Sequence, residues 1–172
     1  MLNIALYNNK INYIRSDRNR KGLSIISCGA NQYDSLDTAI NKSAVDIFNK
    51  DKIKSEKISY TIDSQFCVFN NIFCENENSL DFHNDLSGNG VLSNHMDSYY
   101  YPIGLRDDHY LGIHIDKSIK QRLQNATKNI NSSFSSFSIG IFSAEILARY
   151  IFQAKGLDDY LILRFINSNL IE

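Results

Sequence analysis

The sequence predicts an α/β fold in which helices pack against a mixed β-sheet. Three observations predict it. Residues 2–32 place apolar side chains at strand spacing between turn signals, residues 34–52 place them at helical spacing, and residues 110–168 alternate short apolar runs with helical segments. Strands and helices that alternate along a chain pack as helices on a sheet. The 172 residues, 43% of them hydrophobic, suit one such domain, or one lobe with a small subdomain.

The stretch that follows Met1, LNIALYNNKINYIRSD, predicts a β-hairpin. Ile4 and Leu6 stand two residues apart before Asn8-Asn9, and Ile11 and Tyr13 stand two apart after it. Two-residue hairpin turns need left-handed backbone, which asparagine tolerates. The pair Asn8-Asn9 therefore predicts the reversal of the chain.

Further strands are predicted before and after the first helix. Residues 16–22, charged and closed by a glycine, predict a second turn, and residues 23–30 predict a third strand that completes an antiparallel meander. Residues 57–63 predict a fourth strand. Residues 66–75 predict more β structure, with a bulge or a turn at Asn70-Asn71.

The segment 34–52 predicts an amphipathic helix. Ser35 is a favoured N-cap, and Asp37 stands in the first turn, where the helix dipole favours negative charge. Two more helices are predicted after N-caps at Asp116 and Ser143. The first helix has one apolar face at 3.6-residue spacing, formed by Leu36, Ala39, Ile40, Ala44, Ile47 and Phe48.

The final third alternates strands with these helices. Its predicted strands are residues 110–115, 134–142 and 160–168. His109 and His114 flank the first of them, where ordinary strand-edge residues are a simpler interpretation than a catalytic pair.

Residues 76–98 are polar, carry a Gly-Asn-Gly breaker and predict the most mobile loop of the chain. Within it, His83, Asp85, His95 and Asp97 are candidate ligands for Zn²⁺ or another divalent cation. The spacing matches no dedicated zinc motif, so a solvated loop is the favoured interpretation, and no metal or other cofactor is expected.

The sequence Tyr99-Tyr100-Tyr101-Pro102 is predicted to be extended, because proline disfavours helix in the residue before it. Aromatic side chains concentrate at binding hot spots. Tyr99, Tyr100 and Tyr101 are therefore the candidate residues for binding a protein partner, although tyrosines in strands also pack on cores.

Composition excludes several classes of protein. The net charge is −1, so no basic surplus indicates binding to nucleic acid. No apolar run has the roughly 18–20 residues needed to span a bilayer. No signal peptide is expected, because the N-terminal residues lack a basic n-region and a continuous apolar h-region. Three cysteines, Cys28, Cys67 and Cys74, are an odd number for a disulfide framework, so they are expected to be reduced and mostly buried in a cytoplasmic protein. A turn at Asn70-Asn71 would set Cys67 opposite Cys74.

Three antiparallel strands, a helix and a fourth strand are the opening order of the ribonuclease H-like fold, which actin-like ATPases duplicate. Such an ATPase needs a carboxylate on the first strand and small residues in the first turn, where Mg²⁺ and phosphates bind. This chain has Ala5, Leu6, Asn8 and Asn9 there. The two-metal chemistry of a nuclease would also need carboxylates on that strand. The hairpin is therefore interpreted as structural.

Several segments resemble the PilM-like group of actin-like proteins of type IV pilus assembly, with relatives in type II secretion and in the cell-division protein FtsA. They are LNIALYNNKINYIRSD, KISYTIDSQFCVFNNIFCE, the segment from Tyr99 to Ile130, FSIGIFSAEILARYIF and YLILRFINSNLIE. The last resembles the first hairpin of a second lobe, with Arg164 where a carboxylate would stand. No nucleotide-binding residue of that group can therefore be assigned to a position in this sequence.

The resemblance implies a cytoplasmic, non-catalytic scaffold lobe that binds a peptide or subunit of a membrane assembly and lies at the inner membrane through that partner. The expected organisation is an opening meander, helix and strands at 1–75, an inserted or peripheral α/β subdomain at 76–142, and a return helix with the start of a missing second half at 143–172. The alternatives are a nucleotide-binding ATPase lobe, a metal-dependent hydrolase that uses residues 83–97, and a generic α+β interaction domain. Oligomeric state is left open.

Overall fold

The structure is a computed structural model, and it describes residues 1–20, 22–73, 95–102, 109–140, 165–166 and 170–171. Their element order begins β-β-β-α-β, as predicted. The elements are β1 Leu2–Tyr7, β2 Lys10–Asn19, β3 Gly22–Gln32, α1 Leu36–Asp51, β4 Lys57–Ile62, a 3₁₀ turn Ser64–Phe66, β5 Cys67–Phe73, β6 Met96–Pro102, β7 His109–Asp116, α2 Lys117–Asn129, β8 Ser133–Ile139, β9 Phe165–Ile166 and β10 Leu170–Ile171.

The first three strands form the predicted antiparallel meander. Asn8 has a φ of 56°, the left-handed conformation that its turn requires. The second turn is much shorter than predicted, because β2 continues to Asn19 and β3 begins at Gly22. Pairing between the two strands thus extends through the charged segment 16–22, with a register shift between Arg15 and Ser16.

Helix α1 begins where its cap was predicted. The Ser35 side chain accepts a hydrogen bond from the Thr38 backbone N–H, at 3.2 Å. The predicted apolar face is buried apart from Leu36, which is half-buried, and Ser43 is buried with it. Helix α2 likewise starts after Asp116, whose carboxylate accepts from the Ser118 N–H at 2.7 Å.

The main sheet has five strands in the order β3-β2-β1-β4-β8. Strand β1 pairs in parallel with β4, and β4 in parallel with β8, so the sheet is mixed as predicted. One face carries most of the hydrophobic core against α1 and α2, at about 1.5–3 kcal/mol for each fully buried large side chain. The buried members of this face are Leu2, Ile4, Leu6, Ile11, Tyr13, Ile58, Tyr60, Ile62 and Ile139.

A second, antiparallel sheet has three strands in the order β5-β7-β6. It shares the core of the main sheet through Ile113 and Ile115 of β7. The predicted domain limits at residues 75 and 142 stay predictions. Strand β8, which precedes the second limit, pairs with β4 in the main sheet.

Neither the bulge nor the turn that was predicted at Asn70-Asn71 occurs, so both alternatives were wrong. Both asparagines lie inside β5, where they pair with Gly112 and Leu111 of β7. Pairing with a distant strand outweighs the local turn preference of asparagine. No hairpin there sets Cys67 opposite residue 74, which lies outside the described residues.

The cysteines were expected to be mostly buried, and the structure describes two of them. Cys28 is exposed on the edge strand β3 rather than buried, whereas Cys67 is half-buried.

The predicted helix after Ser143 lies outside the described residues. Residues 165–166 pair antiparallel with 170–171, as in a hairpin. Neither α1 nor α2 is long and apolar enough to cross a membrane.

Candidate functional site

The predicted tyrosine run forms the middle of β6, an outer strand of the three-stranded sheet. Tyr99 pairs with Ile113 and Tyr101 with Leu111, so these tyrosines share one face of the sheet. They are 39% and 40% exposed. Tyr100 points to the other face, where it packs against Tyr110.

Beneath the tyrosines lies a pocket of about 480 Å³. Its walls come from both sheets and from α2, so elements far apart in the sequence build it together. Apart from one lysine, one serine and the hydroxyls of the tyrosines, the residues that line it are apolar, and of the three tyrosines only Tyr99 and Tyr101 have their side chains on this face. They are Tyr99, Tyr100 and Tyr101 of β6, Ile113 and Ile115 of β7, Lys120 of α2, and Phe134, Phe137, Ser138 and Ile139 of β8.

Lys120 is the charged residue of this lining. Its ammonium donates a hydrogen bond to the Tyr99 hydroxyl at 2.9 Å and lies 3.7 Å from the Asp97 carboxylate. The hydrogen bond to Tyr99 raises the pKa of Lys120, so the group stays cationic at neutral pH. The pocket thus combines an apolar floor with one fixed positive charge at its side.

On the opposite face of this sheet, His114 joins all three strands. Its Nε2 lies 3.2 Å from the Asn70 amide nitrogen on β5, and its Nδ1 lies 2.9 Å from the Ser98 hydroxyl on β6. An amide nitrogen can only donate, so the neutral ring carries its proton on Nδ1 and donates to Ser98. Ser98 is therefore not activated as a nucleophile, and the arrangement fits a structural clamp.

His114 is 3% exposed, and burial lowers the pKa of its imidazole. The ring is consequently neutral near pH 7. His109, at the start of the same strand, stacks on Phe73 with a centroid separation of 4.3 Å. The two histidines serve different contacts and do not form a pair.

The turn of the first hairpin is fastened to the end of β3. The Asn9 side-chain amide donates to the Tyr33 carbonyl at 2.7 Å, and the Tyr33 N–H donates to the Asn9 carbonyl at 2.8 Å. The side-chain amide and the carbonyl of Asn9 thus form hydrogen bonds within the protein itself. They support the interpretation that the Asn8-Asn9 turn reverses the chain.

The candidate metal ligands are only partly described. His83 and Asp85 lie outside the described residues. His95 is exposed at the turn before β6, and Asp97 lies near Lys120. Within the described parts of the chain, no three His, Cys, Asp or Glu side chains come close enough to hold a metal ion.

Sequence reasoning missed Asp63, which is 1% exposed at the carboxyl end of β4. Its backbone N–H donates to the Leu6 carbonyl at 3.0 Å, and its carboxylate accepts from the Gln65 N–H at 3.1 Å. Asp63 thereby caps the 3₁₀ turn that leads from the main sheet to β5. Aspartate before Ser64-Gln65 is an N-cap pattern that could have indicated this role.

No family model matches the sequence, and no curated protein matches it. Its structure is similar to a chain of a PilM–PilN type IV pilus biogenesis complex, with a TM-score of 0.67 and 5% identity over 87% of this chain and 50% of that one. It is also similar to the cytoplasmic domain of EpsL, an inner membrane component of the type II secretion system of Vibrio cholerae. That match has a TM-score of 0.56 and 11% identity over 80% of this chain and 56% of that one.

At these identities the likeness concerns the fold, and the chain covers only about half of each neighbour. The predicted fold class, α/β with a mixed sheet, is confirmed, and the fold is similar to those of the PilM–PilN chain and the EpsL domain. Its structural neighbours are domains of pilus and secretion assembly proteins.

Proposed function

We propose that this chain is a non-catalytic scaffold lobe that binds a protein partner through the pocket beneath Tyr99 and Tyr101. The apolar pocket where the two sheets meet α2 is the single observation that carries the proposal. Its volume falls within the roughly 300–1,000 Å³ usual for ligand sites. An aliphatic or aromatic side chain of a peptide would bury its surface there.

The chemistry of the rim supports a peptide rather than a purely apolar ligand. Lys120 and the Tyr99 hydroxyl lie together beside the apolar floor and can bind a carbonyl or carboxylate of an extended peptide. Tyrosine supplies a rigid, amphipathic contact at low entropic cost. One peptide could then supply both the apolar side chain that fills the pocket and the polar group that contacts Lys120 and Tyr99.

The neighbours indicate the setting only by analogy of fold. One is a component of an inner membrane secretion system and the other forms part of a pilus biogenesis complex. By this analogy we assign the chain to the cytoplasmic side of the inner membrane, where a peptide or subunit of a membrane assembly would hold it.

Display of random peptides against the 172-residue chain tests the pocket. We expect enriched peptides to share an aliphatic or aromatic anchor and to bind with micromolar affinity. Tyr99→Ala should weaken that binding roughly tenfold or more, as truncation of a hot-spot tyrosine does. Phe73→Ala removes an exposed aromatic side chain from the same sheet outside the pocket and should leave the affinity unchanged. Equal binding by both variants would refute the site.

The non-catalytic part of the proposal has its own test. Calorimetric titration with Mg-ATP and with Zn²⁺ separates a scaffold from an ATPase lobe or a metal hydrolase. We expect no binding tighter than about 10 μM, which corresponds to about −7 kcal/mol. Tighter binding of either ligand, with hydrolysis of ATP or of an ester substrate, would overturn it.

A further inference from the structure

Strands β2 and β3 extend past the rest of the main sheet as a two-stranded hairpin. Pairing of β1 with β2 ends at Arg15, whereas pairing of β2 with β3 continues to Asn19. We call the end of this hairpin, residues 16–20 and 22–26, the hairpin tip. At the rise of a β-strand it projects about 10 Å beyond β1. Among the described residues, no other strand pairs with it.

One face of the hairpin tip is aliphatic and exposed. Leu23 pairs with Arg18 and Ile25 pairs with Ser16, so the two aliphatic side chains share a face with Arg18. Leu23 is 72% exposed and Ile25 66%, and the neighbouring Ile26 is 52% exposed. An exposed apolar patch with a polar rim is typical of a surface that contacts a protein or a membrane.

The rim of this patch is cationic. Arg18 and Arg20 are exposed, and neither forms an ion pair with another described residue, whereas Arg15 binds Glu56. Asp17 precedes Arg18 along β2, so its carboxylate lies on the opposite face of the hairpin. The aliphatic face is therefore bordered by two arginines whose guanidinium groups are available to bind anions.

We propose that the hairpin tip binds the surface of an anionic lipid bilayer. Leu23 and Ile25 enter the boundary between headgroups and acyl chains, while the two arginines bind lipid phosphates. Apolar burial and attraction to anionic lipids are the two interactions that hold peripheral proteins at such a surface. The site is separate from the pocket, whose lining comes from β6, β7, β8 and α2.

The size and composition of the tip favour a bilayer over a macromolecular partner. A stable protein interface buries about 800 Å² on each partner, and three aliphatic side chains on a two-stranded projection supply only part of that area. Proteins that bind single-stranded nucleic acid stack its bases on aromatic side chains, and residues 16–20 and 22–26 include no aromatic residue. A lipid surface requires neither a large complementary patch nor aromatic rings.

This contact should be reversible by itself. A single myristoyl chain binds membranes with an association constant of about 10⁴ M⁻¹, and stable anchoring takes a second signal of this kind. We expect the hairpin tip to have an affinity of that order or lower. The protein partner proposed above would then supply the second attachment.

Co-sedimentation of the 172-residue chain with lipid vesicles tests the proposal. We expect binding to phosphatidylcholine vesicles that contain about 30% phosphatidylglycerol, and at least fivefold weaker binding to phosphatidylcholine alone. The double variant Arg18→Gln, Arg20→Gln should bind the anionic vesicles roughly twentyfold less well, since each basic residue near the surface contributes about fivefold. As the matched control, Lys42→Gln, Lys128→Gln removes two exposed cations from the helices and should bind like the wild type.

Insertion of the aliphatic face has its own reporter, because the chain contains no tryptophan. Leu23→Trp should show blue-shifted emission on the anionic vesicles and quenching by lipids with brominated acyl chains. Val45→Trp, at an exposed position of α1, should show neither effect. The double variant Leu23→Ser, Ile25→Ser should weaken binding at least tenfold, because two aliphatic side chains no longer leave water. Circular dichroism checks that each variant is folded.

Several outcomes would overturn the proposal. They are no binding of the wild type to the anionic vesicles, equal binding to neutral and anionic vesicles, the same loss in the lysine control as in the arginine variant, and unchanged Leu23→Trp emission in vesicle-bound protein. Tighter binding to a nucleic-acid duplex than to the vesicles, with loss of that binding in the arginine variant, would also overturn it.

Discussion

Gly112, in the middle of β7, allows a test of how tightly the second sheet is packed. A Cβ atom at this position would lie 2.7 Å from Cδ1 of Ile72 on β5 and 3.3 Å from Nε2 of His114. The first distance is shorter than side chains tolerate, so Gly112→Ala must displace Ile72. The perturbation is one methyl group directed at the contact between β5 and β7.

The expected change in the free energy of unfolding has two contributions of opposite sign. Overpacking a filled site costs about 1–3 kcal/mol. Alanine in a strand gains about 0.5–1 kcal/mol over glycine, because glycine loses more conformational freedom on folding. The free energy of unfolding should therefore fall by about 0–2.5 kcal/mol, with a central value of about 1 kcal/mol. For a chain of this length, a fall of about 1 kcal/mol corresponds to a decrease in Tm of roughly 2–4 °C.

A double-mutant cycle assigns the effect to this contact. Ile72→Val removes the Cδ1 methyl that the new side chain would meet, so it should cancel most of the cost of Gly112→Ala. We expect urea denaturation to show a coupling of about 1 kcal/mol between the two substitutions. A cost of Gly112→Ala that is the same with isoleucine and with valine at position 72 would refute the reasoning.

The other predictions concern the core, the histidine clamp and the surface. Tyr60→Phe should lower the free energy of unfolding by about 0.5–1.5 kcal/mol in urea, because the lost hydroxyl bonds the buried Thr127 at 3.1 Å. Since burial lowers the pKa of His114, the native state binds fewer protons than the unfolded state. Stability should therefore be full above about pH 6.5 and fall as pH falls through the native pKa, and His114→Gln should flatten this slope in denaturation series. The exposed pair of Arg122 and Asp37 joins α2 to α1, and Arg122→Gln should cost at most about 1 kcal/mol and nothing measurable in 1 M salt.

Local signals explain what the sequence predicted well. Ser35 and the apolar spacing behind it define α1 within a few residues, and Asn8 supplies the left-handed backbone of the first turn. Each of these features depends on neighbours in the chain, so the sequence contains the information directly.

Non-local pairing explains what the sequence could not predict. Asn70-Asn71 has the preferences of a turn but is held in β5 by β7, about 40 residues later. The pocket shows the same dependence at the level of the site. The tyrosine run was recognised as a candidate, but Phe134 and Phe137 enter the same lining only because β8 joins the main sheet beside β4.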